Sequence, residues 1–196
     1  MIITFYDLET TGLDTQTAEP VQAALVTVNV DPQAKSIALA GSQTLYFYRP
    51  DMPWSTEAEA THGFSREFLK KYESCYLDNI TRMFAKLNKS FVCGFNNIHY
   101  DDTLISSYFK RLSLPVPEIY RSYDMMRELA AYMHKARFKL TVGIETLGLQ
   151  SQVDAMMKQI FPLKAGEAHA HDATYDTVAT LCLFNFALQN NLLILD

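Results

Sequence analysis

Two acidic residues end the first strand that the sequence predicts, and this placement constrains the fold most strongly. Residues 1–6 are apolar, β-branched or aromatic, which is typical of a buried strand. Side chains alternate between the faces of a strand, so Asp7 and Glu9 point the same way, roughly 7 Å apart at their Cα atoms, and Leu8 points to the opposite face. Such carboxylates can converge on divalent cations, and without cations they raise each other's pKa. We therefore expect further cation ligands elsewhere in the chain.

A second acidic position follows another short apolar run. Residues 90–95 predict a strand that ends at Asn96 and Asn97, and the apolar residues between 99 and 112 recur at helical spacing. Asp101 and Asp102 thus lie at a strand-to-helix junction. Because successive helical residues diverge by about 100°, only one of the two can face the same cations. One of the two is therefore expected at the site, and the other at the cap or the dipole of the helix.

The third acidic motif combines a histidine with an aspartate five residues later. His171 and Asp176 would lie on different faces of a regular helix, because near-eclipsed side chains are four residues apart. We therefore place His171 in the loop before a helix over 172–190, with Asp172 as N-cap and Asp176 in the first turns. His169 in the same loop is predicted to be exposed and without a role. Three other histidines are predicted to be structural or exposed: His62, His99 and His134.

The ordered motifs resemble the DEDDh group of 3′-to-5′ exonucleases, the DnaQ-like superfamily that includes polymerase proofreading subunits, oligoribonuclease and ribonuclease T. Residues 94–102 (Gly-Phe-Asn-Asn-Ile-His-Tyr-Asp-Asp) are most similar to the nuclease domain of bacterial exonuclease I, and residues 123–127 and 170–173 agree. The likeness extends over essentially the whole chain. It implies a ribonuclease H-like exonuclease fold with the site at the strand ends.

The order of predicted elements agrees with this expectation. Early β-rich runs followed by alternating strands and helices predict an α/β fold, with a mixed five-stranded sheet and helices on both faces. We expect a single exonuclease domain over residues 1–196. After the first strand, strands are predicted over 20–30, 37–48, 91–95 and 119–123, and helices over 65–88, 99–112, 124–134, 141–149, 151–160 and 172–190.

The resemblance implies a site for two divalent ions. By this likeness Asp7 bridges the ions, Glu9 and Asp176 complete the first, and Asp101 reaches the second through water. Oxygen donors without a cysteine set favour Mg²⁺ or Mn²⁺ over zinc. His171 is the implied general base, acting beside the carboxylate of Glu9, because an imidazole suits proton removal near neutral pH.

The resemblance also implies where substrate binds. The backbone over 8–12 is expected to receive the terminal nucleotide with its free 3′ hydroxyl. A net charge of −5 argues against a protein that coats nucleic acid, and the local basic stretch is Lys135, Arg137 and Lys139. The predicted substrate contacts are Leu8, Thr10, Thr11, Gly12, Asn97 and Lys139.

Together these features predict metal-dependent hydrolysis of single-stranded DNA from the 3′ end to nucleoside 5′-monophosphates. One alternative is an exoribonuclease that trims RNA ends or short oligoribonucleotides, because selection at the 2′ hydroxyl depends on pocket geometry. Another is a non-catalytic nucleic-acid-binding module on the same fold. Association with a polymerase or a single-strand-binding protein stays open. Exonuclease I has further domains that help enclose single-stranded DNA, so we expect distributive action from this chain.

Cysteine usage and hydropathy predict a cytoplasmic protein. Cys75, Cys93 and Cys182 are odd in number and lack zinc-like spacing, which predicts buried free thiols in a reducing compartment. The chain begins directly with the first strand, so no signal peptide is expected, and no apolar run approaches the length of a membrane span.

Overall fold

The fold is built on one mixed sheet of five strands, seen in a computed structural model that describes residues 1–162 and 170–195. In space the strands follow the order β3, β2, β1, β4, β5. β1 pairs antiparallel with β2, and β2 with β3, whereas β4 runs parallel to both β1 and β5. The sheet agrees with the sequence prediction. Its strands are β1 (Ile2–Thr10), β2 (Pro20–Asp31), β3 (Ser36–Tyr46), β4 (Ser90–Gly94) and β5 (Ile119–Asp124).

Helices cover both faces of this sheet, because β1 is buried on both sides. Ile3 and Phe5 pack into a core with the C-terminal helices, whereas Tyr6 and Leu8 pack into a second core with the helices that flank β4. In the described residues no helix combines the length and the apolar character that a bilayer crossing requires. The helices are α1 (Thr56–His62), α2 (Arg66–Lys70), α3 (Tyr76–Leu87), α4 (Asp101–Arg111), α5 (Met125–Glu128), α6 (Leu140–Thr146), α7 (Gln150–Ile160) and α8 (Ala173–Gln189).

The helical patterns predicted over 65–88 correspond to two helices, because α2 and α3 are separated by a turn that contains a short 3₁₀ segment. In this turn Tyr72 stacks on Tyr46 of β3, with ring centroids 4.6 Å apart. Phe68 meets the same Tyr46 ring edge-on at 5.5 Å. The chain turns to bury these rings against the sheet, and the gain from aromatic packing outweighs helical propensity.

Two further helices differ from the sequence prediction. α1 was not predicted, although its signals are present: Ser55 caps the first turn with its hydroxyl, and Gly63 ends the helix in the left-handed region at φ 77°. The helix predicted over 124–134 is much shorter, since α5 ends at Glu128 and the chain continues in turns.

The cysteines are free thiols, but they differ in exposure. Cys93 and Cys182 are buried as predicted, whereas Cys75 is exposed. Burial raises the pKa of the Cys182 thiol to about 12, so the unreactive thiol form dominates at neutral pH.

Candidate active site

Three carboxylates converge on the face of β1 that α8 covers. Asp7 and Glu9 alternate with Leu8, so both side chains point toward α8, where Asp176 lies in the first turn. Oxygen atoms of the three carboxylates lie within 4.8 Å of one another. This separation allows one cation to contact all three side chains, and oxygen is the donor that Mg²⁺ and Mn²⁺ prefer.

A buried glutamine on β2 fixes the start of α8 beside these carboxylates. Asp172 is the N-cap and accepts from the backbone N–H of Thr174 at 2.9 Å, which confirms the predicted cap. Gln22 donates through Nε2 to Asp172 Oδ1 at 3.2 Å, and its Oε1 accepts from the backbone N–H of Ala173 at 2.9 Å. Because this pair of hydrogen bonds joins the helix to the sheet, Asp176 is held facing β1.

Asp101 occupies the junction that the sequence predicts, as the first residue of α4 directly after the loop from β4. Its side chain is buried but lies outside the group of three carboxylates. Within the described residues, Asp101 Oδ1 has no hydrogen-bond partner although it is buried. A buried acceptor without a partner is costly, and a cation or a cation-bound water would satisfy it.

Burial and mutual repulsion raise the pKa values of these carboxyl groups. Desolvation is the largest cause for Asp7, followed by the charges of Asp101, Asp176 and Glu9, and it holds the pKa of Asp7 well above its usual range. Burial, with the nearby charge of Asp176, raises the pKa of Glu9 to about 9. Burial also raises the pKa of Asp101, next to Asp102. Cations would remove the repulsion that causes part of each shift.

This arrangement predicts that the metal-free protein becomes less stable as the pH rises. The pKa of Glu9 is raised from 4.5 to about 9, so between these values the folded chain keeps a proton that the unfolded chain releases. Protons bound by the folded state alone stabilise it, and this stabilisation disappears as the pH rises through the folded pKa. Melting temperatures measured in chelator should therefore fall across this interval, and Mg²⁺ should restore stability most at alkaline pH. A melting temperature in chelator that increases over the same range would contradict the expectation.

The structure does not support the predicted role of Asn97 as a substrate contact. Asn97 is fully buried, and its Nδ2 donates to Ser122 Oγ at 2.7 Å and contacts Asp102 Oδ1 at 3.5 Å. Its Cβ lies so close to Gly94 that a Cβ there would come within 2.5 Å. Asp102 also accepts from the Tyr6 hydroxyl, rather than acting as a helix cap. The contacts of Asn97 and Asp102 therefore hold the start of α4, and with it Asp101, against β1 and β5.

Two open clefts flank the carboxylates. The first has a volume of about 680 Å³ and the second about 640 Å³. Both are bordered by Leu8, Tyr100 and His171, so these side chains mark the line where the clefts meet. The first cleft also contains Asp7, Asp101, Asp176, Arg137, Phe138 and Lys139. The second contains Glu9, Thr10, Thr11, Gly12, Trp54 and His62.

The clefts include the other predicted substrate contacts and add residues that sequence reasoning missed. Leu8 borders both clefts, Lys139 borders the first, and Thr10, Thr11 and Gly12 border the second. Trp54 and His62 were missed because α1 was not predicted. The capping signals at Ser55 and Gly63 would have revealed that helix.

His171 lies in the loop before α8, as the sequence predicts. Its backbone is in the left-handed region at φ 69°, and its N–H donates to Asp176 Oδ2 at 3.2 Å. The residue is exposed and borders both clefts. The backbone bond orients Asp176 and leaves the imidazole outside that contact. His169 lies outside the described residues.

The remaining histidines agree with their predicted structural or exposed roles, with one addition. His62 is buried, and its Nδ1 accepts from the backbone N–H of Phe64 at 3.0 Å. It also borders the second cleft. His99 Nε2 lies 2.7 Å from the Arg127 guanidinium, and His134 is exposed.

The sequence matches a known family over most of its length. The family model RNase_T, described as Exonuclease, matches residues 4–184. The chain belongs to this exonuclease family. The match includes Asp7, Glu9, Asp101, His171 and Asp176, the five residues on which the sequence prediction rests. No curated protein matches the sequence.

Solved structures of exonuclease I share the fold. The enzyme from Methylocaldum szegediense aligns with a TM-score of 0.67 and 21% identity, over 96% of this chain and 40% of that chain. E. coli exonuclease I in complex with a dA16 oligonucleotide gives 0.65 and 17%, over 97% and 42%. A zinc-bound E. coli complex with single-stranded DNA gives 0.66 and 17%, over the same shares. The chain thus spans about two fifths of these proteins, and the likeness confirms the ribonuclease H-like exonuclease fold.

Proposed function

We propose that this protein is a 3′-to-5′ exonuclease that hydrolyses single-stranded DNA to nucleoside 5′-monophosphates with Mg²⁺ or Mn²⁺. The observation that carries the proposal is the convergence of Asp7, Glu9 and Asp176 where the two clefts meet. Solved relatives described as exonuclease I in complex with dA16 and dT13 oligonucleotides support a single-stranded substrate.

The carboxylates suit two divalent ions. Asp7 would contact both ions, Glu9 and Asp176 would complete the first, and Asp101 would serve the second, for which its unpartnered Oδ1 is suited. When bound, the ions supply positive charge that stabilises the reacting phosphate and lowers the pKa of a water molecule. Without cations the same carboxylates hold protons, as the raised pKa of Glu9 indicates.

His171 is the proposed general base. It is exposed at the meeting line of the clefts, and its backbone N–H is bonded to Asp176 Oδ2. An imidazole placed there can remove a proton from an attacking water molecule and release it to solvent. Because that bond joins the backbone of His171 to Asp176, it holds the proposed base close to the carboxylate cluster.

The two clefts are proposed to bind different nucleotides of the substrate strand. The second cleft would receive the 3′-terminal nucleotide against Thr10, Thr11 and Gly12. The first would receive the preceding nucleotides, with Arg137 and Lys139 facing their phosphates. This assignment limits electrostatic contact to a few phosphates, which suits a chain whose net charge is −5.

Matched end-labelled oligonucleotides would test the direction and the metal requirement. A single strand labelled at its 5′ end should give a descending ladder, and one labelled at its 3′ end should release labelled mononucleotide at once. Mg²⁺ and Mn²⁺ should support both reactions, and excess chelator should stop them. Release of nucleotides from the 5′ end, or full hydrolysis in chelator, would overturn the proposal.

The same assay distinguishes the substrate classes. An RNA strand of the same sequence should be degraded more slowly than DNA, and a blunt duplex with GC ends more slowly still, since unpairing the terminal nucleotide costs a few kcal/mol. A strand ending in a 3′ phosphate serves as the control for recognition of the free hydroxyl. Faster degradation of RNA would assign the enzyme to RNA trimming, and binding without hydrolysis would assign it to the non-catalytic alternative.

A further inference from the structure

Tyr100 lies where the two clefts meet, and its hydroxyl is hydrogen-bonded to the loop that follows β1. Tyr100 borders both clefts, and its hydroxyl donates to the Gly12 carbonyl oxygen at 2.6 Å. Thr10 Oγ1 donates to the same carbonyl at 2.8 Å and lies 2.7 Å from the Tyr100 hydroxyl oxygen. These three oxygens form a closed triangle that joins the residue before α4 to the end of β1.

The opposite side of the same loop is fixed separately. Thr11 donates its backbone N–H to the Glu19 carbonyl at 2.9 Å, and the Glu19 N–H donates to Thr11 Oγ1 at 3.0 Å. The Glu19 carboxylate in turn accepts from Arg49 Nε at 3.0 Å. The loop after β1 is therefore anchored to the start of β2 through Thr11. The triangle of hydroxyls connects the same loop, at Gly12, to Tyr100 at the start of α4.

We infer that Tyr100 is a positioning residue for the 3′-terminal nucleotide. Its ring forms the partition between the clefts, and its hydroxyl holds the Gly12 segment at a fixed distance from the carboxylates. The inference rests on the proposed function, because it assigns the terminal nucleotide to the second cleft. Loss of the hydroxyl would remove one of the two donors to the Gly12 carbonyl and the link between this carbonyl and α4, while the aromatic ring stays. The terminal nucleotide would then bind more weakly without loss of the carboxylate cluster.

The Tyr100→Phe variant isolates the hydroxyl, and Tyr120→Phe is the matched control. Tyr120 is 56% exposed on β5 and borders neither cleft. We expect Tyr100→Phe to raise KM for a single-stranded oligonucleotide, and to weaken calorimetric binding of deoxythymidine 5′-monophosphate, by about three- to tenfold. Its kcat should stay within about twofold. Its melting temperature should fall only slightly below that of Tyr120→Phe, because the Tyr100 hydroxyl is bonded to Gly12 whereas Tyr120 is exposed.

A Thr10→Val variant tests whether the hydroxyls act as a unit. Because Thr10 and Tyr100 share the Gly12 carbonyl, the double variant should bind the mononucleotide no more weakly than the worse single variant. Unchanged nucleotide affinity and KM in Tyr100→Phe, additive losses in the double variant, or a fall in kcat alone would overturn the inference. Wild-type protein that neither degrades DNA nor binds the mononucleotide would overturn the proposed function as well.

Discussion

Replacing Asp7 with alanine should lower the turnover number by about three to five orders of magnitude. This loss corresponds to the several kcal/mol by which bound metal ions lower the activation free energy of phosphate hydrolysis. Asp7 belongs to the group of three carboxylates, and the charges of Asp101, Asp176 and Glu9 all raise its pKa. Asp7 is therefore repelled by each of the other carboxylates proposed to hold the cations, and its loss should weaken Mn²⁺ binding together with turnover. Single-turnover hydrolysis and calorimetric Mn²⁺ titration measure the two effects.

The fold of the Asp7→Ala variant can be tested independently. Removing a half-buried carboxyl from a repulsive cluster should raise the melting temperature in chelator at alkaline pH, where the group costs most in the folded state. Asp154→Ala is the matched control, since Asp154 is an exposed aspartate of α7 that bonds Gln150 and borders neither cleft. If the Asp7→Ala protein binds Mn²⁺ and hydrolyses DNA like the Asp154→Ala control, the assignment of Asp7 as a cation ligand is wrong.

The position of the carboxylates could be predicted because it follows from local periodicity. Strand alternation places Asp7 and Glu9 on one face, and the change from strand to helix places Asp101 and Asp102 at the start of the helix after β4. The choice of Asp101 over Asp102 comes from the resemblance to the exonucleases. Asp176 required the additional inference that His171 precedes the helix, which the N-cap at Asp172 confirms. Each carboxylate's position in its own strand or helix depends on only a few neighbouring residues, so it can be predicted from the local sequence pattern.

The lining of the second cleft could not be predicted in the same way. Trp54 and His62 border the same cleft as Gly12 although they lie more than forty positions away in the sequence, so no local pattern relates them. The burial of Asn97 also depends on tertiary packing, since its Nδ2 donates to Ser122, which lies 25 residues later in the sequence on β5. Local rules thus predict the residues that hold cations, whereas the substrate surface depends on how distant elements pack.

Replacing His171 should lower the turnover number by about two to four orders of magnitude, the usual range for loss of a general base, with metal affinity largely retained. Asparagine is the better substitution than alanine, because His171 lies at φ 69° and asparagine tolerates the left-handed region. The backbone N–H that binds Asp176 Oδ2 is present in both variants, so the carboxylate keeps its orientation. The limb of the pH–rate profile that reports deprotonation of the base should disappear, and calorimetry should show wild-type Mn²⁺ binding.

His134→Asn is the matched control for this variant. His134 is also exposed and left-handed, at φ 51°, but it borders neither cleft, so its turnover should equal that of the wild type. His169→Ala, outside the described residues, should also have little effect, since only His171 has the five-residue spacing to Asp176. If His169→Ala were inactive and His171→Asn nearly normal, the general base would be reassigned to His169. The carboxylate assignments would still hold, because they depend on the cluster of Asp7, Glu9 and Asp176 rather than on either histidine.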